Sequence, residues 1–426
     1  MGLLHIGMDD TDSREGMCTT YLGALLAGEL SRLGEVVELK LVRLNPNIPW
    51  KTRGNASVAI TMETERGAVA REAVLAAVER YSVMADPNTN PGVVFLEGEV
   101  PGELDRFYRT VLHRVVSPRK ARTLAEVHSA EVHGYKNGRG VVGALAAVGA
   151  RLGEGERTYE IIAYRARENW GKERRVGAAS VHAMDARTYP RTFNNIDPSS
   201  GRILITPRSP CPILFGIRGL DPGTLMEAYG MVEAGEEVER SALYLTNQGT
   251  DAHLERVGSI AEARPYSSVI LKGTVAQRPR AMEGGHVIFP LTDGRGLIDC
   301  AAYEPTRDFR WAVGALAPGD EVEVYGEVTV GRRTINLERL QVLRLAPLVA
   351  VENPPCPQCG RRMESAGRGQ GFRCRRCKTG AREKVKVSLP RRLEEGFYQV
   401  PTGAMRHLTR PLRLGPCPPT SQEAKW

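Results

Sequence analysis

Leucines set the first rhythm of this chain. Leu22, Leu25, Leu26, Leu30 and Leu33 recur at steps of three and four, which puts them on one face of a helix starting near Thr19. Before it, residues 3–9 (Leu-Leu-His-Ile-Gly-Met-Asp) read as a short strand that ends in acid. Residues 36–44 and 56–62 read as a second and third strand, and residues 67–83 as a second helix. A turn cluster at 88–92 precedes Val93-Val94-Phe95. This alternation predicts an α/β unit over residues 1–132 with its chemistry on the loops.

A second mixed unit is expected over residues 133–255. It opens with Gly134-Tyr-Lys-Asn-Gly-Arg-Gly140 and an Ala/Val-rich helix; residues 159–164 and 202–206 read as strands, and residues 242–251 run from a strand into a polar loop. Gly138-x-Gly140-x-x-Gly143 has the form of a dinucleotide fingerprint, with Glu160 near the expected distance. The residues before it are polar rather than a buried strand, so the glycines read as a turn into a tightly packed helix. Over residues 264–346 the period shortens to two, as in Val269–Val275 and Val322–Val328, with turns at Asp293-Gly294 and Pro318-Gly319-Asp320. Five short strands with internal glycines predict an OB-fold barrel, another small β-barrel being the plain alternative. Residues 350–426 hold Cys356-x2-Cys359 and Cys374-x2-Cys377, fourteen residues apart. That spacing closes a tetrahedral, structural Zn2+ site, and so short a stretch needs the metal to fold.

Composition narrows the picture. Of 426 residues, 42% are hydrophobic, which rules out long-range disorder. No apolar run approaches the roughly 18 residues of a membrane span, and the acidic first twenty residues do not look like a secretory signal. Apart from the zinc set, Cys18, Cys211, Cys300 and Cys417 are scattered, which suits a reducing cytoplasm. The net charge of +8 is unevenly placed: residues 356–426 hold 16 of the 58 Lys+Arg but 5 of the 50 Asp+Glu. Around the zinc site Arg361, Arg362, Arg368, Arg373, Arg375 and Arg376 gather with Phe372, the composition of a nucleic-acid surface.

The first unit carries candidate catalytic groups. Asp9, Asp10 and Asp12 crowd one strand-to-loop junction, where like charges are costly unless a cation neutralises them; Mg2+ with phosphate oxygens is the natural partner. Thr19 and Thr20 follow at a helix start, where backbone amides favour a phosphate. The loop Arg43-Leu-Asn-Pro-Asn-Ile-Pro-Trp-Lys-Thr-Arg-Gly-Asn-Ala-Ser57 then offers Arg43, Lys51 and Arg53 as charge, with Gly54 and Asn55 allowing close backbone approach. A triphosphate such as ATP fits between acid cluster and basic loop. Turn aspartates, capping threonines and a solvated basic loop would leave a similar pattern.

These motifs recur together in one family. Met8-Asp-Asp-Thr-Asp-Ser13, Gly16-Met-Cys-Thr-Thr20, the 43–57 loop, Asn90-Pro-Gly92, Gly138-Arg-Gly140 with Gly143-Ala144, and Thr246-Asn-Gln-Gly-Thr-Asp251 resemble, in order, the archaeal isoleucine-tRNA 2-agmatinylcytidine synthetases. The resemblance spans essentially the whole chain. It implies a multidomain α/β plus β fold: an α/β kinase-like domain, a ferredoxin-like α+β domain, an OB-fold barrel and a zinc ribbon. It also implies that the wobble cytidine of a CAU-anticodon isoleucine tRNA exchanges its 2-oxo group for agmatine, so that the tRNA decodes AUA. ATP is consumed to AMP, its γ-phosphate activating the base. By motif position Thr19, or else Thr20, is phosphorylated by the enzyme itself. Agmatine, a dication, is expected at Asp251 and Tyr244, then Asp197. The barrel and ribbon are expected to grip the acceptor arm, with Arg406 and His407 adding basic and aromatic groups. A non-catalytic tRNA-binding protein would explain the C-terminal half but leave Asp9, Asp10, Asp12 and the 43–55 loop idle. A small-molecule kinase with an appended nucleic-acid module would turn over ATP without tRNA.

Overall fold

The structure, a computed structural model, describes residues 2–52, 54–331 and 333–415. The first unit runs β1 (Gly2–Asp9), α1 (Thr19–Leu30), β2 (Glu35–Arg43), β3 (Ala56–Thr64), α2 (Gly67–Tyr81) and β4 (Gly92–Glu97). Helices α3 (Gly102–His113) and α4 (Pro118–Val127), strand β5 (Glu131–Gly134) and helix α5 (Gly140–Gly149) follow. The second unit runs β6 (Thr158–Arg165), α6 (Ala178–Thr188), β7 (Thr192–Phe193), β8 (Ile213–Gly219), α7 (Pro222–Met231) and β9 (Val238–Thr246).

All nine strands lie in one sheet, in the order β5-β4-β1-β3-β2-β9-β6-β8-β7. Each unit on its own is a β-α-β-β-α-β chain, and in each the strands fall in the order fourth, first, third, second. The ferredoxin-like arrangement is therefore present twice, edge to edge. The seam is a short parallel pairing in which Lys40 and Leu41 of β2 face Leu245 and Thr246 of β9.

Alternation along β1 and β4 divides the first unit's core. Leu4, Ile6, Met8, Val93 and Phe95 point to α1 and α2, whereas Val94 and Leu96 point to α3, α4 and α5. Helix α5 lies on the sheet because Gly7 has no side chain: a Cβ there would stand 2.1 Å from the Ala144 carbonyl oxygen. The glycine pattern at 138–143 is thus a packing device, as the polar residues before it suggested.

The expected strand at 202–206 does not form. Ile203 makes only an isolated bridge to Ile196. Pro207, Pro210 and Pro212 follow closely, each lacking an N–H for a ladder, and pairing resumes at β8.

Strands β10 (Leu254–Val257), β11 (Ser268–Val275), β12 (Arg280–Ala281), β13 (Val287–Thr292), β14 (Leu297–Ala302), β15 (Glu321–Val328) and β16 (Thr334–Arg344), with α8 (Phe309–Gly314), form the third unit. Strands β11, β13, β14, β16 and β15 close on themselves, β14 and β16 running parallel, which is the OB-fold barrel. The zinc ribbon is an insertion in this barrel. It leaves after β16 and returns as the strand Gly396–Gln399, which pairs with β16. The chain then crosses back over the α/β units as a strap. Gly249 and Asp251 donate their amides to the carbonyls of His407 and Leu408, and Leu408 is buried in the α3–α5 core.

Candidate active site

Asp9 is the last residue of β1, and Asp10 takes a left-handed backbone (φ 57°) that turns the chain out of the sheet. The acidic loop is fixed from outside. Ser13 Oγ donates to Asp86 at 2.7 Å, and Thr89 Oγ1 donates to the Asp12 carbonyl at 2.8 Å. Asp9 is packed under α5, where a Cβ on Gly143 would stand 2.0 Å from its Oδ2. Burial, reinforced by Asp10 and then Asp12, holds the Asp9 carboxyl well above the usual range. Burial also pushes Asp10 up, to about 7, against the pull of Arg139. Arg139 donates from Nε at 3.0 Å and pairs through its terminal nitrogen at 2.8 Å. It was missed by sequence reasoning, although it sits inside the glycine pattern.

Helix α1 begins beside this cluster with Cys18 as its cap residue, without a side-chain cap and without acid in the first turn. Its first amides are therefore available to an anion. Thr19 Oγ1 accepts from Thr11 at 3.0 Å, and the Thr20 hydroxyl lies 3.0 Å from Cys18 Sγ. Across from the acids, Arg43 donates to Gln248 at 3.1 Å and Asn55 to the Asn45 carbonyl at 2.8 Å. Lys51 donates to the carbonyls of Pro46 and Ile48 at 2.7 and 2.8 Å, so its ammonium also folds its own loop. Arg53 lies outside the described residues.

All these groups line one cavity of about 340 Å³: Asp9, Asp10, Asp12, Thr19, Thr20, Arg43, Lys51, Gly54 and Asn55. The second unit and the strap add Glu160, Arg218 and His407. Glu160 accepts from Gln248 at 2.5 Å and from Arg218 at 3.2 Å. Arg218 also donates to His407 Nδ1 at 2.8 Å. A guanidinium can only donate, so Nδ1 accepts and the ring proton sits on Nε2. His407 thus belongs to this cavity rather than to a separate basic face. Arg406, expected beside it on RNA, pairs with Glu327 and Asn47.

The three residues expected around agmatine are not gathered here. Asp251 takes two hydrogen bonds from Arg339 of the barrel, at 2.8 and 3.1 Å. Tyr244 is fully buried and donates to the Thr20 carbonyl at 2.6 Å. Asp197 accepts from the Ser199 and Ser200 hydroxyls at 2.8 Å each. All three brace the scaffold.

The sulfurs of Cys356, Cys359, Cys374 and Cys377 lie within 4.8 Å of one another, a closed donor set that fits zinc. Among the described residues no comparable carboxylate group exists, so the three aspartates do not form a ready-made cage. Mg2+ commonly takes only one or two carboxylates and completes its shell with phosphate and water. Arg361, Arg362, Arg373, Arg375 and Arg376 are exposed around the ribbon and Phe372 is half-buried; Arg375 pairs with Glu364 at 2.6 Å.

Comparison with known proteins matches three family profiles: the TiaS TCKD domain over residues 5–137, the TiaS FLD domain over 138–253, and the TiaS C-terminal zinc ribbon domain over 353–393. The isoleucine-tRNA 2-agmatinylcytidine synthetase TiaS of Pyrococcus horikoshii is 47% identical over 420 residues, covering 97% of each chain. That of Methanosarcina mazei is 45% identical over 415 residues, covering 96% of each. A crystal structure of TiaS in complex with its isoleucine tRNA and ATP superposes with a TM-score of 0.90 at 41% identity, covering 97% of both chains. One of TiaS with the same tRNA, AMPCPP and agmatine gives 0.87 at 39%, with the same coverage.

Proposed function

Since this chain belongs to the isoleucine-tRNA 2-agmatinylcytidine synthetase (TiaS) family, we propose that it uses ATP to join agmatine to carbon 2 of the wobble cytidine of a CAU-anticodon isoleucine tRNA. The products are 2-agmatinylcytidine, AMP and two phosphates: one carries away the oxygen lost from carbon 2, and the other is released with water as the ADP left by γ-transfer is cleaved to AMP. The observation that carries this reading is the single cavity in which the acid cluster, the uncapped start of α1 and the 43–55 loop face one another.

A pyrimidine carbonyl is a poor electrophile with a poor leaving group. Transfer of the γ-phosphoryl group to the carbonyl oxygen turns that oxygen into a leaving phosphate. The primary amine of agmatine then adds at carbon 2, the C–O bond breaks, and the amine gives up a proton. The first amides of α1, with Arg43, Lys51, Gly54 and Asn55, hold the phosphates of ATP; Arg53 belongs to the same loop. Asp10, with its carboxyl near 7, is suited to take up a proton. Asp9 and Asp12 would hold Mg2+, which when bound neutralises charge on the phosphates. Thr19, or else Thr20, accepts a phosphoryl group from ATP in a transfer that the enzyme performs on itself. Glu160 is the cavity carboxylate nearest in kind to what agmatine needs, and Tyr244, Asp251 and Asp197 act through the scaffold.

The target base must leave its stack to enter such a cavity. The barrel and the arginine-rich ribbon take the acceptor arm through phosphates. The setting is the cytoplasm; no helix among the described residues is long and apolar enough to cross a membrane.

The test is incubation with γ-labelled ATP, Mg2+, agmatine and the isoleucine tRNA transcript, following nucleotide products and the mass of the wobble nucleoside. AMP and an agmatine-bearing nucleoside are expected, both abolished by Asp12→Ala. ADP made without tRNA, or an unchanged nucleoside, would overturn the reading.

A further inference from the structure

A second cavity, of about 770 Å³, opens between the ferredoxin-like unit and the barrel. One wall is the strandless segment around Arg202 and Arg208; the other is Glu304 and Arg307 of the barrel, with Gly403 of the strap. Leu204 and Pro207 line this space and the catalytic cavity alike, so the two adjoin.

The charges in this cleft are unequal. The Asp197 carboxylate is taken by Ser199 and Ser200, with Arg307 at 3.8 Å. Glu304 has Arg310 at 3.6 Å. Arg307 is committed as well, donating to Ser199 Oγ at 2.8 Å. Arg202 and Arg208 are exposed, and their guanidiniums have no hydrogen-bond or ion-pair partner among the described residues. With both acids balanced, two free guanidiniums remain in a space next to the site of reaction. Guanidinium matches phosphate in shape as well as charge. A nucleotide flipped into the catalytic cavity brings its neighbouring phosphodiesters with it, and these need cations and a path.

We propose that this cleft carries the RNA strand flanking the reacting nucleotide, with Arg202 and Arg208 each holding a phosphodiester. The inference rests on the tRNA reading above and adds a specific track to it. It also gives the segment 202–208 a reason to stay out of the sheet: its backbone turns two long cations toward one opening.

The experiment is tRNA binding by the full chain over a salt series, comparing wild type with Arg202→Ala/Arg208→Ala and Arg202→Lys/Arg208→Lys. Losing two phosphate contacts to a single strand should lower the slope of log K against log salt by about 1.4. A roughly tenfold weaker Kd for the alanine pair is expected at moderate salt, largely restored by the lysine pair. ATP binding in the absence of tRNA should be unchanged. An unaltered slope and Kd would overturn the proposal, as would an equal loss of ATP binding, which would place these arginines on the nucleotide. Failure of wild type to bind the transcript at all would instead remove the tRNA reading beneath it.

Discussion

In the first α/β unit the sheet is covered on both faces, and the polar groups of the cavity are anchored at the ends of elements that apolar layers hold still. In the zinc ribbon the buried set is Cys356, Met363 and Cys374, with three two-residue strands around them. Both regions present polar side chains in fixed places. The first fixes them through burial spread over dozens of residues, the second through four sulfurs and a metal. A region of the first kind should feel a single methyl group and ignore a chelator; the second should do the reverse.

The sharpest break in that comparison is metal removal. Chelation of about one zinc per chain should unfold the ribbon outright, weaken tRNA binding at least tenfold and leave ATP binding intact. Circular dichroism, metal content and nucleotide titration would check this. Loss of ATP binding on chelation would show that the two regions are not independent.

A smaller effect is expected on the packed side. Gly143→Ala adds a methyl group where Asp9 and Ser57 already sit, at 2.0 and 2.4 Å from the new carbon. Overpacking of this kind costs about 1–3 kcal/mol. Displacing Asp9 should also lower kcat by about a hundredfold, with KM for ATP changing less and zinc content unchanged.

The smallest effect concerns the join between the halves. Glu338 of β16 is buried with His253, Arg406 and Arg339; burial opposes its charge, but these neighbours win and hold its pKa at about 2, below its ordinary 4.5. Because the folded value is the lower one, its contribution is present above about pH 4.5 and fades as pH falls toward 2. Melting curves should show Glu338→Gln costing a few degrees at pH 6 and markedly less at pH 2.5. An equal cost at both would sink the assignment.

The same contrast explains what could be read from the chain alone. Spaced leucines gave α1, alternation gave the barrel strands, and cysteine spacing gave the ribbon, because each is a local rule acting within a few residues. The acid cluster and the 43–55 loop were also legible, since each is contiguous. What escaped is pairing at a distance. Arg139 meets Asp10 across 129 residues, and Asp251 meets Arg339 across 88; no spacing rule reports either. Tyr244 shows the same limit: a tyrosine near a polar loop reads as a ligand wall, and nothing in its spacing reports the bond of its hydroxyl to the Thr20 carbonyl. The doubled strand order was invisible because it depends on which edges meet.

The strap carries a consequence for synthesis. His407 supplies part of the wall of a cavity whose other groups begin at Asp9, and between them lie both α/β units, the barrel and the ribbon. A nascent chain can fold its first unit early, yet the cavity stays open on one side until the barrel has closed and the ribbon has been passed. A finished cavity therefore cannot form while only the two α/β units have left the ribosome, and the barrel and the ribbon are in place before that cavity is sealed.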